Sequence, residues 1–339
     1  RVSVSGPDGT RTLTARHVVI ATGSRPRPLA IPGLPPERTL TNENLFELTG
    51  APEHLAIVGA GPIGVEMACA FARLGSAVTL VDVSSRVLPQ AEREASAVLA
   101  EALADQGIDL RLGSRVVGYD AEDLGLELEG PRGAERVSGV DAALIAVGRL
   151  PNVEGFAGVV ATGPGGIAVD GWGRTSAEGV WALGDVTPTA HQTHGANAHG
   201  RRIVQRIALP WVPPLGGPPV VPSAVFSDPE VAWVGPTAPA RAARWHPGVL
   251  TDIRVDLAST DRGLTDGVRH GFVLVSAVRL TGRVVAATIV GPHAAELLPL
   301  LTYAVSRRVS LLRLQRMVHA YPTFAGAIGA VADEFARRT

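Results

Sequence analysis

The chain has 339 residues, 46% of them hydrophobic, and a formal net charge of −1, which allows a sizeable core in two or three domains and argues against nucleic acid or a polybasic membrane surface as a partner. All 31 cationic residues are arginine, so lysine Schiff-base chemistry is excluded within this chain. No apolar run reaches the roughly 18 to 20 residues that cross a bilayer, and the single cysteine, Cys69, leaves no disulfide framework or multi-cysteine metal site; a soluble protein of a reducing cytoplasm is expected.

Residues 2–23, VSVSGPDGTRTLTARHVVIATG, read as a hairpin entering a buried strand. The first residue is Arg1 and no basic-then-apolar signal segment precedes this pattern, so the chain is expected to be an N-terminally incomplete piece of something longer. The prolines of SRPRPLAIPGLPP mark an extended linker and a boundary near residue 45. Strands and helices then alternate: LAIVGAG, a helix to Leu74, AVTLVD, a helix around REASAVLAEALADQ ended by Gly107, IDLRL, short alternating strands, and AALIAVG. That order predicts an α/β fold with a mostly parallel sheet covered by helices. Further on, GVWALGDV is a second strand resembling HVVIATG, which suggests a return to an interrupted first domain, and a helix is predicted from about Gly195 to Ala208. After the proline-rich LPWVPPLGGPPVVP, a hairpin turning at Thr281-Gly282 and helices over AAELLPLLTYAVSRR and SLLRLQRMV predict an α+β domain.

Chemistry enters at Gly59-Ala60-Gly61-Pro62-Ile63-Gly64. The first glycine permits a tight turn, the second lets backbone approach a pyrophosphate, and the third lets helix pack on strand while the helix dipole faces the anion. The motif follows a strand, opens a helix with an Ile63, Met67, Phe71, Leu74 stripe, and meets Asp82 at the end of the next strand, which is the context a dinucleotide fingerprint requires. Asp82 can accept hydrogen bonds from both ribose hydroxyls of NAD. A 2′-phosphate there would face a like charge at a cost of several kcal/mol for groups about 4 Å apart at an effective dielectric near 20, so NAD is favoured over NADP. Arg86 either softens that choice or is a solvated loop charge. Glu66 is a dipole-stabilised helix-start acid on the bland reading. Cys69, among apolar neighbours, is expected to be an inert core thiol.

Six further pieces complete the pattern: ATGS at 21–24, AVGRLPN at 146–152, ALGD at 182–185, QTHGANAHGR at 192–201, FSDPEVAWVG at 226–235 and HAYPT at 319–323. In order and spacing the whole chain resembles the flavin disulfide reductases, the family of dihydrolipoamide dehydrogenase, glutathione reductase, mercuric reductase and soluble transhydrogenase. The resemblance implies doubly wound FAD and NAD domains plus an α+β dimerisation domain, with residues 1–45 ending a first FAD segment, 46–150 the NAD domain, 151–216 the returning FAD segment and 217–339 the dimer-interface domain. It places Thr22, Gly23, Ser24 and Asp185 beside FAD, and turns the helix start at Thr193, His194 and Ala196 toward the flavin. Gly59, Gly61, Pro62, Ile63, Gly64, Glu66, Asp82, Val116 and Gly148 fall on the nicotinamide nucleotide, with Glu66 and Tyr321 nearest the chemistry. His194 and His199 read as helix or dimer contacts.

Two departures separate this chain from the family pattern. Members begin with an FAD fingerprint and a CxxxxC redox pair, neither of which occurs in this chain. Thiol-active members carry HPTxxE, whereas here Tyr321 replaces the His and Gly326 the Glu, as a tyrosine does in mercuric reductase and soluble transhydrogenase. An ordinary phenol is a poor base at neutral pH; His319 is either a substitute base or a packed residue. The terminal FARRT lacks the vicinal cysteines of mercuric reductases. The expected activity is therefore a homodimeric, FAD-dependent NAD(P)H oxidoreductase passing electrons to a small-molecule acceptor, mercuric-reductase-like or transhydrogenase-like. Dihydrolipoyl dehydrogenase is the alternative within the class, and a non-catalytic dinucleotide-binding and dimerisation module the alternative outside it.

Overall fold

The computed structural model describes residues 1–189, 192–212 and 219–338; the expected limit at 216/217 lies outside the described residues. The chain forms two compact units, one of residues 1–25 and 149–219, the other of residues 26–148 and 220–339.

The second unit contains a five-stranded parallel sheet ordered Thr39–Leu40, Ala142–Ile145, His54–Val58, Ala77–Asp82, Asp109–Leu112. Its central strands carry runs of buried Leu, Ile, Val and Ala because both faces are covered. Helix α1 (Pro62–Arg73) links the strands His54–Val58 and Ala77–Asp82, and α2 (Arg93–Asp105) leads into Asp109–Leu112. From His54–Val58 the chain winds outward one way, then crosses back to Ala142–Ile145 on the other side, so a topological switch point falls between these two strands, at whose carboxyl ends ligands bind. A three-stranded antiparallel sheet, Arg115–Asp120, Gly125–Gly130 and Gly133–Val137, forms the crossover.

The Ile63, Met67, Phe71, Leu74 stripe needs correction. The buried face of α1 is Gly64, Val65, Ala68, Cys69 and Phe71, while Leu74 is 68% exposed. Phe71 of the stripe is buried and Met67 packs against the same core, so the packed face combines part of the stripe with small residues that allow close approach to the sheet.

The same unit holds an antiparallel sheet ordered Ser223–Val225, Glu230–Val234, Val284–Gly291, Phe272–Val278, Leu250–Asp256. Phe272, Leu274 and Val290 join a core with Cys69, Phe71, Leu99 and Leu103 of α1 and α2. Val273, Val275 and Ile289 pack instead with Leu298, Leu301, Ile328, Val331 and Phe335 of the helices Ala294–Ser306 and Gly326–Arg338. Alternation along each strand thus serves two apolar layers, which is why Val284–Gly291 is buried at every position. The helix expected over SLLRLQRMV is a single turn, Leu311–Leu314. Met317 and Val318 beyond it are exposed, so no buried face sustains a longer helix.

In the first unit the strands Val18–Ile20 and Val180–Ala182 pair in parallel, and α3 (Thr193–Ala208) follows. Among the described residues, no helix is long and apolar enough to cross a membrane.

Candidate functional site

At the switch point each fingerprint glycine meets a different constraint. Gly59 has φ +114°, and a Cβ there would lie 2.4 Å from the Ala146 carbonyl oxygen at the end of the neighbouring strand. A Cβ on Gly64 would lie 1.8 Å from the Gly59 oxygen. Gly61, with φ −75°, faces open space: no heavy atom comes within 4 Å of its would-be Cβ. Two glycines are therefore demanded by the protein's own packing, while the third leaves room for a ligand to approach the backbone. Pro62 takes the first helical position, where a missing N–H costs nothing, and the Ile63 and Gly64 amides follow at the positive end of the α1 dipole. These groups fit a dinucleotide pyrophosphate.

Asp82 ends the next strand with its carboxylate tied to the turn: Oδ2 accepts the Ala60 N–H at 2.6 Å and Oδ1 the Ser84 N–H at 2.6 Å. Each oxygen keeps a second lone pair for a ribose hydroxyl. Arg86 is not a solvated loop charge; its guanidinium donates to the Ala91 carbonyl at 3.1 Å, to Pro89 O and to Ser96 Oγ, closing the 86–96 loop on itself. Beside this turn the Ser114 N–H donates to the Asp82 carbonyl at 2.9 Å, and two residues on Val116 packs against the apolar cluster of Ala56, Val58 and Val81. Gly148, φ +110°, closes the opposite side with its carbonyl accepting the Arg27 N–H at 2.9 Å.

One face of α1 is gripped by the loop 226–228. The Phe226 N–H donates to Glu66 Oε1 at 2.9 Å, the Asp228 N–H to Cys69 Sγ at 3.5 Å, and the Asp228 carboxylate pairs with Arg73. Residues 66, 69 and 73 are spaced along one helical face. Burial pushes the Cys69 thiol up from its ordinary value, the backbone hydrogen bond from Asp228 opposing it, which matches an unreactive sulfur. Sequence reasoning quoted FSDPEVAWVG but gave it no partner, because nothing local signals a contact across about 160 positions.

In the first unit Thr22, Gly23 and Ser24 leave the carboxyl end of one parallel strand and Gly184-Asp185 that of the other. Ser24 Oγ donates to Asp185 Oδ2 at 2.8 Å and accepts from Arg149 Nε at 2.7 Å, while Arg149 Nη2 reaches the Ser24 carbonyl at 2.6 Å. Asn152 clamps the same turn: it accepts from Thr22 Oγ1 at 2.8 Å through its carbonyl, donates Nδ2 to Thr22 O at 2.9 Å, and gives its N–H to Gly23 O at 2.9 Å. The clamping residues Arg149 and Asn152 were missed as individuals although AVGRLPN was quoted. Thr193 and Ala196 stand in the first turn of α3 with His194 between them, and Ala196 Cβ lies 3.4 Å from where a Cβ on Gly184 would be. A carboxylate at a strand end beside an open Gly23 fits the polar arm of a flavin nucleotide, and the amide end of the 16-residue α3 fits the flavin's pyrimidine end. His199, further along α3, is lowered by burial and then by Arg202, and a Cβ on Gly173 would come within 2.9 Å of its Nε2, so it is a packed residue.

At the C-terminal end, Tyr321 is 80% exposed and its hydroxyl donates to Asp261 Oδ2 at 2.8 Å. That hydrogen bond, and secondly the carboxylate's charge, hold the phenol above its ordinary value. His319 has a buried Nε2 with no hydrogen-bond partner among the described residues, and its ring lies 3.0 Å from a would-be Cβ on Gly329, against the last helix. It is packed rather than offered as a base. Gly326 faces open space. Among the described residues, no group of three or more His, Cys, Asp and Glu could hold a metal ion.

Comparison with known proteins agrees with this layout. Residues 1–200 match the family described as pyridine nucleotide-disulphide oxidoreductase, and residues 221–332 match its dimerisation domain. The chain is 34% identical over 335 residues to a dihydrolipoyl dehydrogenase of Haloferax volcanii, covering 96% of this chain and 69% of that one. It is equally 34% identical over 334 residues to a mercuric reductase of Streptomyces lividans, with the same coverage. The crystal structure of LpdA from Mycobacterium tuberculosis superposes with a TM-score of 0.86 at 31% identity, over 98% of this chain and 72% of that chain. The resemblance carried by the seven motifs therefore holds: the chain belongs to the pyridine nucleotide-disulphide oxidoreductase family, oxidoreductases that use FAD and a nicotinamide nucleotide, and it includes that family's dimerisation domain.

Proposed function

We propose that this protein oxidises NADH and delivers the electrons through FAD to a small-molecule acceptor that needs no thiol base, such as a quinone, dye, metal ion or nicotinamide, and that it does so as a homodimer in the cytoplasm. When both are bound, the nicotinamide supplies a hydride and the flavin receives it. The chain's own residues hold and orient: Gly59, Gly61 and Gly64 with the α1 amides bind the pyrophosphate, Asp82 selects the unphosphorylated ribose, and Glu66 stands at the helix start. Thr22, Gly23, Ser24 and Asp185 hold the flavin nucleotide's polar arm, and the α3 amides face the flavin's pyrimidine end.

The observation that carries the choice of acceptor is Tyr321. Where the family's thiol-active members place a histidine paired with a glutamate, this chain has a phenol already donating to a carboxylate, with Gly326 in the glutamate's place. A phenol held above its ordinary value does not accept a thiol proton near neutral pH. Dihydrolipoyl dehydrogenase is the second reading, favoured by the name of the Haloferax relative. Steady-state assays of the full-length enzyme separate the two. Dye or quinone turnover is expected to exceed dihydrolipoamide turnover by at least about a hundredfold, the lower end of what general base catalysis contributes. Comparable rates would establish the second reading.

A further inference from the structure

The segment that carries Tyr321 is held at two points by one short helix. Asp261 and Arg262 open the helix Asp261–Thr265, capped by Thr260, whose Oγ1 accepts the Gly263 N–H at 3.1 Å. Asp261 Oδ2 accepts the Tyr321 hydroxyl at 2.8 Å, and the neighbouring Arg262 lays its guanidinium 5.4 Å from the centre of the Phe324 ring. Phe324 is buried and also meets the His293 ring, so the Arg262 contact sits on a fixed surface. Arg262 is itself oriented by Asp266, at 2.8 Å. The helix cannot drift: a Cβ on Gly263 would come within 1.8 Å of the Leu257 carbonyl oxygen, so the turn rests directly on backbone.

We propose that Asp261 is the positioning residue of Tyr321, supplying from a different element the carboxylate partner that position 326 no longer provides. The inference rests on the reading of Tyr321 as the residue facing the acceptor. Asp261 accepts the hydroxyl's hydrogen bond and so fixes where the O–H points, leaving the oxygen lone pairs on the outward side of the phenol for whatever binds there. Among the described residues, Asp261, Arg262 and Asp266 are the charged groups that the short helix brings to this segment, and His319 stands two residues before the tyrosine. Arg262 is occupied by Asp266 and Phe324, which leaves Asp261 as the charge acting on the phenol. Ionising Tyr321 would both lose the donated hydrogen bond and place two anions together, so the pair keeps the hydroxyl protonated.

The test is a pH titration of the full-length flavoenzyme labelled with [ζ-13C]tyrosine. The chain has three tyrosines, so Tyr321→Phe assigns the relevant resonance by its loss. Tyr321 is expected to titrate above an ordinary phenol, Asp261→Ala to move it down, and Asp261→Asn, which keeps an acceptor but removes the charge, to place it between. A Tyr321 resonance whose titration is unchanged in both variants overturns the proposal, and a preserved Tyr119 resonance shows that the variants are folded. In the full-length flavoenzyme Asp261→Ala is expected to raise the KM for a quinone about three- to tenfold, the worth of one oriented hydrogen bond, and to lower kcat for the same quinone by less. A moved titration with unmoved KM upholds the Asp261–Tyr321 pair and overturns instead the placement of Tyr321 at the acceptor.

Discussion

Glu66 and Phe226, 160 residues apart, are joined by a 2.9 Å hydrogen bond from the Phe226 N–H to the Glu66 carboxylate. The second turn of α1 is thereby fixed to the loop between the strands Ser223–Val225 and Glu230–Val234. Glu66→Ala removes the acceptor and is expected to cost about 0.5 to 1.5 kcal/mol, whereas Glu66→Gln keeps an acceptor and should cost less. Urea unfolding of the 339-residue chain measures both, and equal losses would mean that the charge, not the hydrogen bond, matters.

Gly61 and Gly64 make a sharper pair because they are indistinguishable in the motif and opposite in the structure. Gly64→Ala drives a methyl into the Gly59 carbonyl oxygen, at 1.8 Å, so strand and helix must separate, and a loss of about 3 kcal/mol or more is expected. Gly61→Ala meets no protein atom within 4 Å at an ordinary φ, so the fold should hold while NADH binding weakens about tenfold or more, about 1.4 kcal/mol. Circular dichroism and NADH fluorescence titration distinguish the two variants. A Gly61→Ala chain that binds NADH normally would move the pyrophosphate elsewhere.

Asp82 is expected to make the full-length enzyme prefer NADH over NADPH in stopped-flow flavin reduction. Because its two oxygens also hold the Ala60 and Ser84 amides at 2.6 Å, Asp82→Ala should narrow that preference and also lower stability by about 1 to 3 kcal/mol. Arg86 will not rescue NADPH on its own, since its guanidinium is committed to Pro89, Ala91 and Ser96. Faster reduction by NADPH in the unmodified enzyme would refute the assignment.

Much of this was legible in sequence because it is local. The glycine spacing, the Asp82 strand end and the two apolar strands HVVIATG and GVWALGDV each report backbone conformation within a few residues, and the structure places them accordingly. What escaped was pairing across distance. Asn152 with Thr22, Phe226 with Glu66 and Asp261 with Tyr321 are hydrogen bonds whose partners share no sequence neighbourhood. The α1 stripe is only partly legible for a related reason: periodicity finds large apolar residues such as Phe71, while a helix pressed on a parallel sheet also buries small ones such as Gly64 and Ala68.

Arg241 and Glu92 are another such pair, at 2.6 Å with side chains 9% and 13% exposed, and Arg241 also donates to the Pro236 carbonyl at 2.9 Å. The bond ties the start of α2 to the short helix Ala238–Arg244. Removing one partner strands a buried charge, so Glu92→Ala is expected to cost about 3 to 5 kcal/mol in denaturant unfolding. The double change Glu92→Met with Arg241→Met should cost much less, because no charge is left uncompensated. A Glu92→Ala loss below about 1 kcal/mol would show that the pair behaves as a surface bridge.

The last prediction restores what the acceptor side lacks. A Cβ at position 326 meets no heavy atom within 4 Å, and Gly326 opens the helix Gly326–Arg338, where an acidic side chain is favoured by the dipole by about 0.3 to 1 kcal/mol. Gly326→Glu should therefore leave the chain as stable as before or slightly more so, measurable as an unchanged or raised melting temperature. Tyr321→His adds an imidazole five residues earlier, on a segment held independently of the tyrosine by Arg262 against Phe324. In a full-length enzyme that carries the CxxxxC pair, the double variant supplies a base of ordinary pKa near 6.5 in place of a phenol. Dihydrolipoamide oxidation is then expected to rise toward the 10² to 10⁴ that such a base contributes, about tenfold at least, while dye reduction by NADH changes little. Either single change alone should do less, since an imidazole without its carboxylate is poorly oriented and a carboxylate alone has nothing to orient. If the double variant folds, reduces dye normally and still shows no gain with dihydrolipoamide, the barrier to thiol chemistry lies in the redox pair or in substrate access, not in the missing base.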